Sequence, residues 1–292
     1  MSGPIHVVLA FDDNFWAPAY ATMRGICLSS RRKGDLVFHL FHLKLRPERL
    51  PVLRRIESEF GAGLHDVALD DEPAFRELLT HLPKGSGGLR EIAYSRLLAD
   101  EFLPPEATRF IYADCDLLFK APIERLYEID IQGKALAAVL DIYGLRHMGK
   151  RNLRQNRDVF DTADPYFNSG MMVIDRAGWR GADPLAVLRR FSGQDRLRRL
   201  FHDQGVLNIA FKNKWLILDS RWNYLDPTGP ALSLDPHVLH YTGKLKPWLR
   251  RSPVAYARHY VRVMTRPVFT QYQREIRRRY WAGIGNRLMG RQ

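Results

Sequence analysis

Extended apolar runs and helix-patterned stretches alternate across the first 113 residues. Ile5–Phe11, Leu36–Leu43, Asp66–Leu69 and Phe110–Ala113 read as strands. Ala17–Arg31, Arg49–Phe60 and Glu91–Phe102 read as helices, the second stopped by Gly61 and the third by Pro104 and Pro105. Such alternation predicts an α/β fold, a mainly parallel sheet flanked by helices, with ligands outside the carboxyl ends of its strands. Phe110–Ala113 runs out, at that kind of position, into Asp114-Cys115-Asp116.

The second half is more mixed. Leu136–Leu140, Gly170–Ile174 and Trp215–Leu218 are candidate strands, and Pro184–Phe191 and Gln204–Phe211 candidate helices. Between Tyr143 and Pro165 a polar stretch without apolar periodicity reads as a mobile loop or short helices near the site. At 292 residues the chain can bury a large core, and residues 1–250 read as one domain followed by a tail, 251–292. Charge separates the two. Residues 244–292 hold 13 of the 45 Lys and Arg and one of the 32 acids, which leaves the body nearly neutral at 32 bases against 31 acids.

Two aspartates one residue apart at a strand end can turn both carboxylates toward one cation. Mn²⁺ or Mg²⁺ takes oxygen ligands, and Mn²⁺ accepts an imidazole as well, which His240 in the distant string His240-Tyr241-Thr242-Gly243-Lys244-Leu245-Lys246-Pro247-Trp248 could supply. In the same string Gly243 can offer a backbone amide and Lys246 an ammonium to a diphosphate. Taken singly, the aspartates could be caps and His240 a satisfied strand-end histidine. Asp12 and Asn14, after the first strand, suit nucleoside recognition but are also good helix caps. A haloacid-dehalogenase type of phosphohydrolase also carries Asp-x-Asp after an apolar strand, but on its first strand, whereas here over 100 residues precede Asp114.

From about Ile5 to Trp248 the ordered set of Asp-x-Asp, Asn168-Ser169-Gly170 and His-Tyr-Thr-Gly-x-x-Lys-Pro-Trp resembles glycosyltransferase family 8, especially bacterial lipopolysaccharide galactosyl- and glucosyltransferases. The resemblance implies a GT-A (Rossmann-like) nucleotide-diphospho-sugar transferase fold. It also implies a retaining hexosyl transfer from a UDP-sugar, UDP-galactose or UDP-glucose, with Mn²⁺ on Asp114, Asp116 and His240. Donor contacts carried over are Ala10, Asp12, Asn14, Arg96, Asp114, Cys115, Asp116, Asn168, Gly243 and Lys246. Asp141, Asp203 and Gln204 are carried over as catalytic, sugar-proximal residues. Gly205 departs from relatives that have a second acid there.

The tail interleaves Tyr256, Tyr260, Val263, Met264, Phe269, Tyr272, Ile276, Tyr280, Trp281 and Leu288 with arginines. One reading is an interfacial anchor that holds the enzyme at the inner face of the cytoplasmic membrane, beside a lipopolysaccharide or other glycan acceptor. The other is a helix packed on the body. An Arg-rich aromatic stretch could also bind nucleic acid, but the neutral body argues against nucleic acid as a partner. Two cysteines and no recognisable leader suit a cytoplasmic protein without structural disulfides.

Overall fold

The computed structural model describes residues 3–83, 89–141, 143–144, 158–161, 163–194, 196–197, 200, 202–228 and 234–288. Most of the polar stretch between Tyr143 and Pro165 lies outside them. Among the described residues seven strands form the main sheet: β1 (Ile5–Asp12), β2 (Leu36–Leu43), β3 (Gly63–Ala68), β4 (Arg109–Ala113), β6 (Leu136–Leu140), β7 (Phe167–Asp175) and β8 (Trp215–Ile217). Their order is β3-β2-β1-β4-β7-β6-β8. β5 (Leu117–Phe119), β9 (Tyr224–Leu225) and β10 (Val238–His240) make a small second sheet, ordered β5-β10-β9.

β1 is buried almost throughout, as a strand covered on both faces requires. Alternation divides its side chains between two cores. Val7, Leu9 and Phe11 join Ile111 and Met171 on one face, where helix Trp16–Ser29 packs. Val8 joins Phe110, Tyr112 and Met172 on the other, under helices Pro184–Gly193 and His202–Ala210.

The β1, β2, β3 and β4 pairings are parallel, with Asp12 level with Leu43 and Val7 level with Ile111. β7 runs antiparallel to both β4 and β6. That reversal positions the site: with Ala113 level with Met171, the start of β7 at Asn168-Ser169-Gly170 lies beside the end of β4. β6 ends at the same edge, where its register with β7 shifts between Ala138 and Leu140 and Asp141 follows. The small sheet sets His240 opposite Leu117, and Tyr241 N–H donates to the Asp116 carbonyl at 3.1 Å.

Two expected helices are broken. Arg49–Phe60 is a 3₁₀ turn and two short helices, Leu50–Leu53 and Arg55–Phe60, closed by left-handed Gly61 at φ 71°. Glu91–Phe102 is helix Leu89–Tyr94, a 3₁₀ turn Ser95–Leu98, and helix Ala99–Phe102. Ser95 Oγ donates back to the Ile92 carbonyl at 2.7 Å and Arg96 Nε to that of Ala93 at 3.0 Å, bonds that compete with the regular ladder and turn Arg96 inward.

The tail forms helices Ala257–Met264 and Arg266–Leu288. Tyr260, Val263, Met264, Val268 and Tyr272 are buried in the core that holds helix Trp16–Ser29, the second of the two arrangements the sequence left open for this segment. Tyr280 and Trp281 stay exposed, at 64% and 65%. Among the described residues no helix is long and apolar enough to cross a membrane. Cys27 and Cys115 are buried free thiols, and burial pushes Cys27 up to about 12.

Candidate active site

At the end of β4 the Asp114 N–H donates to the Gly170 carbonyl at 2.7 Å, which extends the β4–β7 ladder by one residue and fixes the carboxylate beyond it. Asp114 Oδ1 accepts from Arg96 Nη2 at 3.0 Å and from the Tyr112 hydroxyl at 3.1 Å. Its Oδ2 is left 3.6 Å from His240 Nε2, whose other carboxylate neighbour, Asp116 Oδ1, is at 3.2 Å. One ligand atom from each of Asp114, Asp116 and His240 lies within 4.8 Å of the others.

Gly170 makes the floor of this group. A Cβ there would sit 2.2 Å from His240 Cε1 and 2.5 Å from Asp114 Oδ2, so only glycine lets the three converge. Two carboxylate oxygens and an imidazole nitrogen around a space that a methyl group would fill suit a hard divalent cation such as Mn²⁺. Lys246 Nζ lies 2.6 Å from Asp116 Oδ2. Burial alone would raise the Asp116 carboxyl, but His240 and Lys246 prevail and hold it well below the ordinary carboxylate range.

Arg96 is buried beneath the carboxylates. Besides Asp114 it reaches the Ser169 carbonyl at 2.8 Å and Asp203 Oδ2 at 3.0 Å, and its guanidinium lies 4.2 Å from the Tyr112 ring centre. Burial pushes Asp203 above the ordinary carboxylate range despite the pull of Arg96. Beside it Gln204 Oε1 accepts from the Ser169 N–H at 3.1 Å, and its Nε2 donates to Asp141 Oδ2 at 3.0 Å. Asn168 Nδ2 donates to the same Asp141 oxygen at 3.1 Å, while Asn168 Oδ1 accepts from the Gly170 N–H at 3.0 Å. Asp114, Asp116, His240, Lys246, Arg96, Asp141, Asn168, Asp203 and Gln204 thus form one contiguous polar cluster.

The remaining expected residues lie around it. Asp12 takes both the backbone N–H and the Nδ2 of Asn14, each at 3.0 Å. Tyr272 donates its hydroxyl to the Asn14 carbonyl at 2.8 Å, and Arg279 donates to Asn14 Oδ1, so the tail helix reaches this end of β1. Cys115 Sγ, 3.5 Å from the Ala10 carbonyl, links β1 to the carboxylate pair. The Gly243 amide is given to Asp226 Oδ1 at 2.6 Å, an oxygen that also accepts from Thr242 Oγ1 at 2.8 Å.

The glycosyltransferase family 8 model matches residues 6–252. The chain belongs to that family. The family 8 chain is similar to the glycosyltransferase GlyF of Streptococcus pneumoniae serotype 4, 26% identical over 251 residues, 83% of this chain and 56% of the relative. It therefore spans a little over half the length of that relative. It is also similar to a lipopolysaccharide 1,2-glucosyltransferase of Escherichia coli, 23% identical over 83% of this chain and 73% of that one. Its fold matches that of the galactosyltransferase LgtC solved with donor and acceptor sugar analogues, with a TM-score of 0.72, 21% identity and coverage of 89% and 95%. LgtC carries the GT-A architecture, which settles the fold, and family membership decides for a transferase over the phosphohydrolase reading.

Three contributors to the site of this family 8 protein carry no clear signal in the sequence: Tyr112 reads only as a strand residue, Asp226 belongs to no motif, and Asn223 is flanked by aromatic residues that give no polar signal. Asn223 is 1% exposed and bridges His240 Nδ1 and Asn168 Oδ1, each at 2.9 Å. Its role depends on the pairing of β9 with β10, which the sequence does not reveal.

Proposed function

We propose that this transferase passes a hexose, galactose or glucose, from a UDP-sugar to a lipopolysaccharide or related glycan with retention of configuration. Mn²⁺, or Mg²⁺ in its place, would be held by Asp114, Asp116 and His240. The observation that carries the reading is the convergence of these three ligands over Gly170, beside a buried wall of Asp141, Asn168, Asp203 and Gln204. The relatives support the hexose, since one is a lipopolysaccharide glucosyltransferase and another a galactosyltransferase.

A divalent ion at this place supplies positive charge and Lewis acidity to the departing diphosphate. The chain's own residues do the rest. Arg96 and Tyr112 fix one oxygen of Asp114 so that the other faces His240. Lys246 neutralises diphosphate charge next to Asp116, and the Gly243 amide, now taken by Asp226, is a second donor in the same turn. Ala10, Asp12 and Asn14 receive the nucleoside. On the sugar side the Gln204 carboxamide is a poor nucleophile and Asp203 is committed to Arg96. Neither is set to form a covalent glycosyl bond, which favours a front-face displacement through an oxocarbenium-like transition state.

Residues 1–250 are the catalytic unit in this reading. The exposed Tyr280 and Trp281, beside Arg277 and Arg278, face the inner surface of the cytoplasmic membrane.

The test is UDP release from a panel of UDP-sugars with and without Mn²⁺. Metal-dependent turnover of one UDP-hexose, lost in Asp116→Ala and His240→Ala, is the expected result. Release that persists in both variants, or no release together with no UDP binding by calorimetry in Mn²⁺, would sink the proposal.

A further inference from the structure

A line of hydrogen bonds runs from the cation site into the sugar wall, and two of its members cannot be reassigned. The Gly170 N–H is a backbone donor, so the Asn168 side-chain atom 3.0 Å from it is the oxygen. The other Asn168 atom is then the NH₂, which faces Asp141 Oδ2, an acceptor, at 3.1 Å. Asn223 meets the same Asn168 oxygen at 2.9 Å and must offer its own NH₂ there. Its oxygen is therefore turned to His240 Nδ1, 2.9 Å away, and that nitrogen carries a proton. Nε2 is the nitrogen left to face Asp116 Oδ1 and Asp114 Oδ2, with a proton between them that a bound cation would replace.

We infer that Asn223 is a positioning residue that presets the His240 tautomer for cation binding and, through Asn168, ties that tautomer to the orientation of the sugar wall. The part concerning Mn²⁺ and the donor rests on the function proposed above; the tautomer does not. No other side chain fits both duties at this span. Aspartate can accept from Nδ1–H but brings a second oxygen against Asn168 Oδ1, serine is too short, and glutamine is longer by one carbon in a site where Asn223 is 1% exposed. The outer partner of a metal-binding histidine fixes ring and tautomer and is commonly worth about 10- to 100-fold in metal affinity.

Two variants separate the two duties. Asn223→Ala removes both bonds and should weaken binding of Mn²⁺ alone, followed by the paramagnetic resonance of the free ion, by about 10- to 100-fold. Asn223→Asp keeps the acceptor for His240 and loses the donor to Asn168. It should hold Mn²⁺ affinity within about threefold of the parent while turnover of the UDP-hexose falls by about tenfold or more. Circular dichroism and thermal unfolding confirm that each variant is folded.

Nitrogen-15 spectra of the imidazoles, with His240 assigned by its loss in His240→Ala, read the tautomer directly. Nδ1–H in the parent, with the Nδ1–H preference lost in Asn223→Ala, supports the inference. A parent whose Nδ1 carries no proton, or a folded Asn223→Ala with parental Mn²⁺ affinity and an unchanged Nδ1–H, overturns it. A parent that binds neither Mn²⁺ nor UDP would fell the functional reading, and the imidazole spectra would still decide the role of Asn223.

Discussion

Gly170 is the residue on which the cation group depends. Its missing Cβ is the space in which His240 and Asp114 meet, and neither neighbour can give way, because His240 is held by Asn223 and Asp114 by Arg96 and Tyr112. Gly170→Ala should therefore keep the fold but lower Mn²⁺ affinity by more than about tenfold, measured by titration of the free ion. Gly181→Ala is the contrast, since nothing lies within 4 Å of a Cβ there, and parental affinity is expected. Equal affinity in the Gly170 variant would show that the three ligands do not act together. At this scale the sequence was legible where one residue type does one job at a fixed offset, as in Asp114, Asp116, His240 and Lys246. It was illegible for Asn223, whose two bonds run to residues 17 and 55 positions away.

Among the elements, the tail helix Arg266–Leu288 is tied down by the lone acid of the tail. Glu275 accepts from Trp16 Nε1 at 3.1 Å and pairs with Arg49 Nη2 at 2.8 Å. Arg49 has a side chain only 2% exposed and stacks 4.5 Å from the Trp16 ring centre. Glu275→Ala leaves that guanidinium buried with Asp13, at 3.9 Å, as its remaining carboxylate among the described residues, and should cost about 3 kcal/mol in denaturant unfolding. A loss below about 0.5 kcal/mol would mean that the helix is not anchored there. The apolar face of this tail was visible in the sequence, but Tyr260 and Tyr272 pattern the same way whether they meet lipid or protein. β7 escaped for a similar reason. Its apolar run fits a parallel or an antiparallel neighbour equally well, so the direction of this one strand in a mainly parallel sheet was not legible. The strands themselves were legible because buried runs of four to eight apolar residues have few other uses.

Over the whole molecule, charge is divided as the proposed membrane role requires, with 13 of 45 basic residues in the last 49 positions. Tyr280 and Trp281 pack edge to face, 5.6 Å apart, outside the core. Binding to vesicles containing phosphatidylglycerol should weaken by about tenfold in a Tyr280→Ala, Trp281→Ala double variant and fall further in high salt, as scored by sedimentation. Unchanged binding, or none by the parent, would remove the membrane from the proposal and leave the arginines as a solvated face. The tail also acts in the opposite direction, toward the catalytic body. Glu275 follows Trp16 by 259 residues and Tyr272 follows Asn14 by 258, so the cover of the first strand is synthesised long after the strand itself. A nascent chain can complete its sheet on the ribosome and still expose an indole and a charged guanidinium at that end of β1. Until the tail emerges, that end is the region a chaperone or protease would meet first.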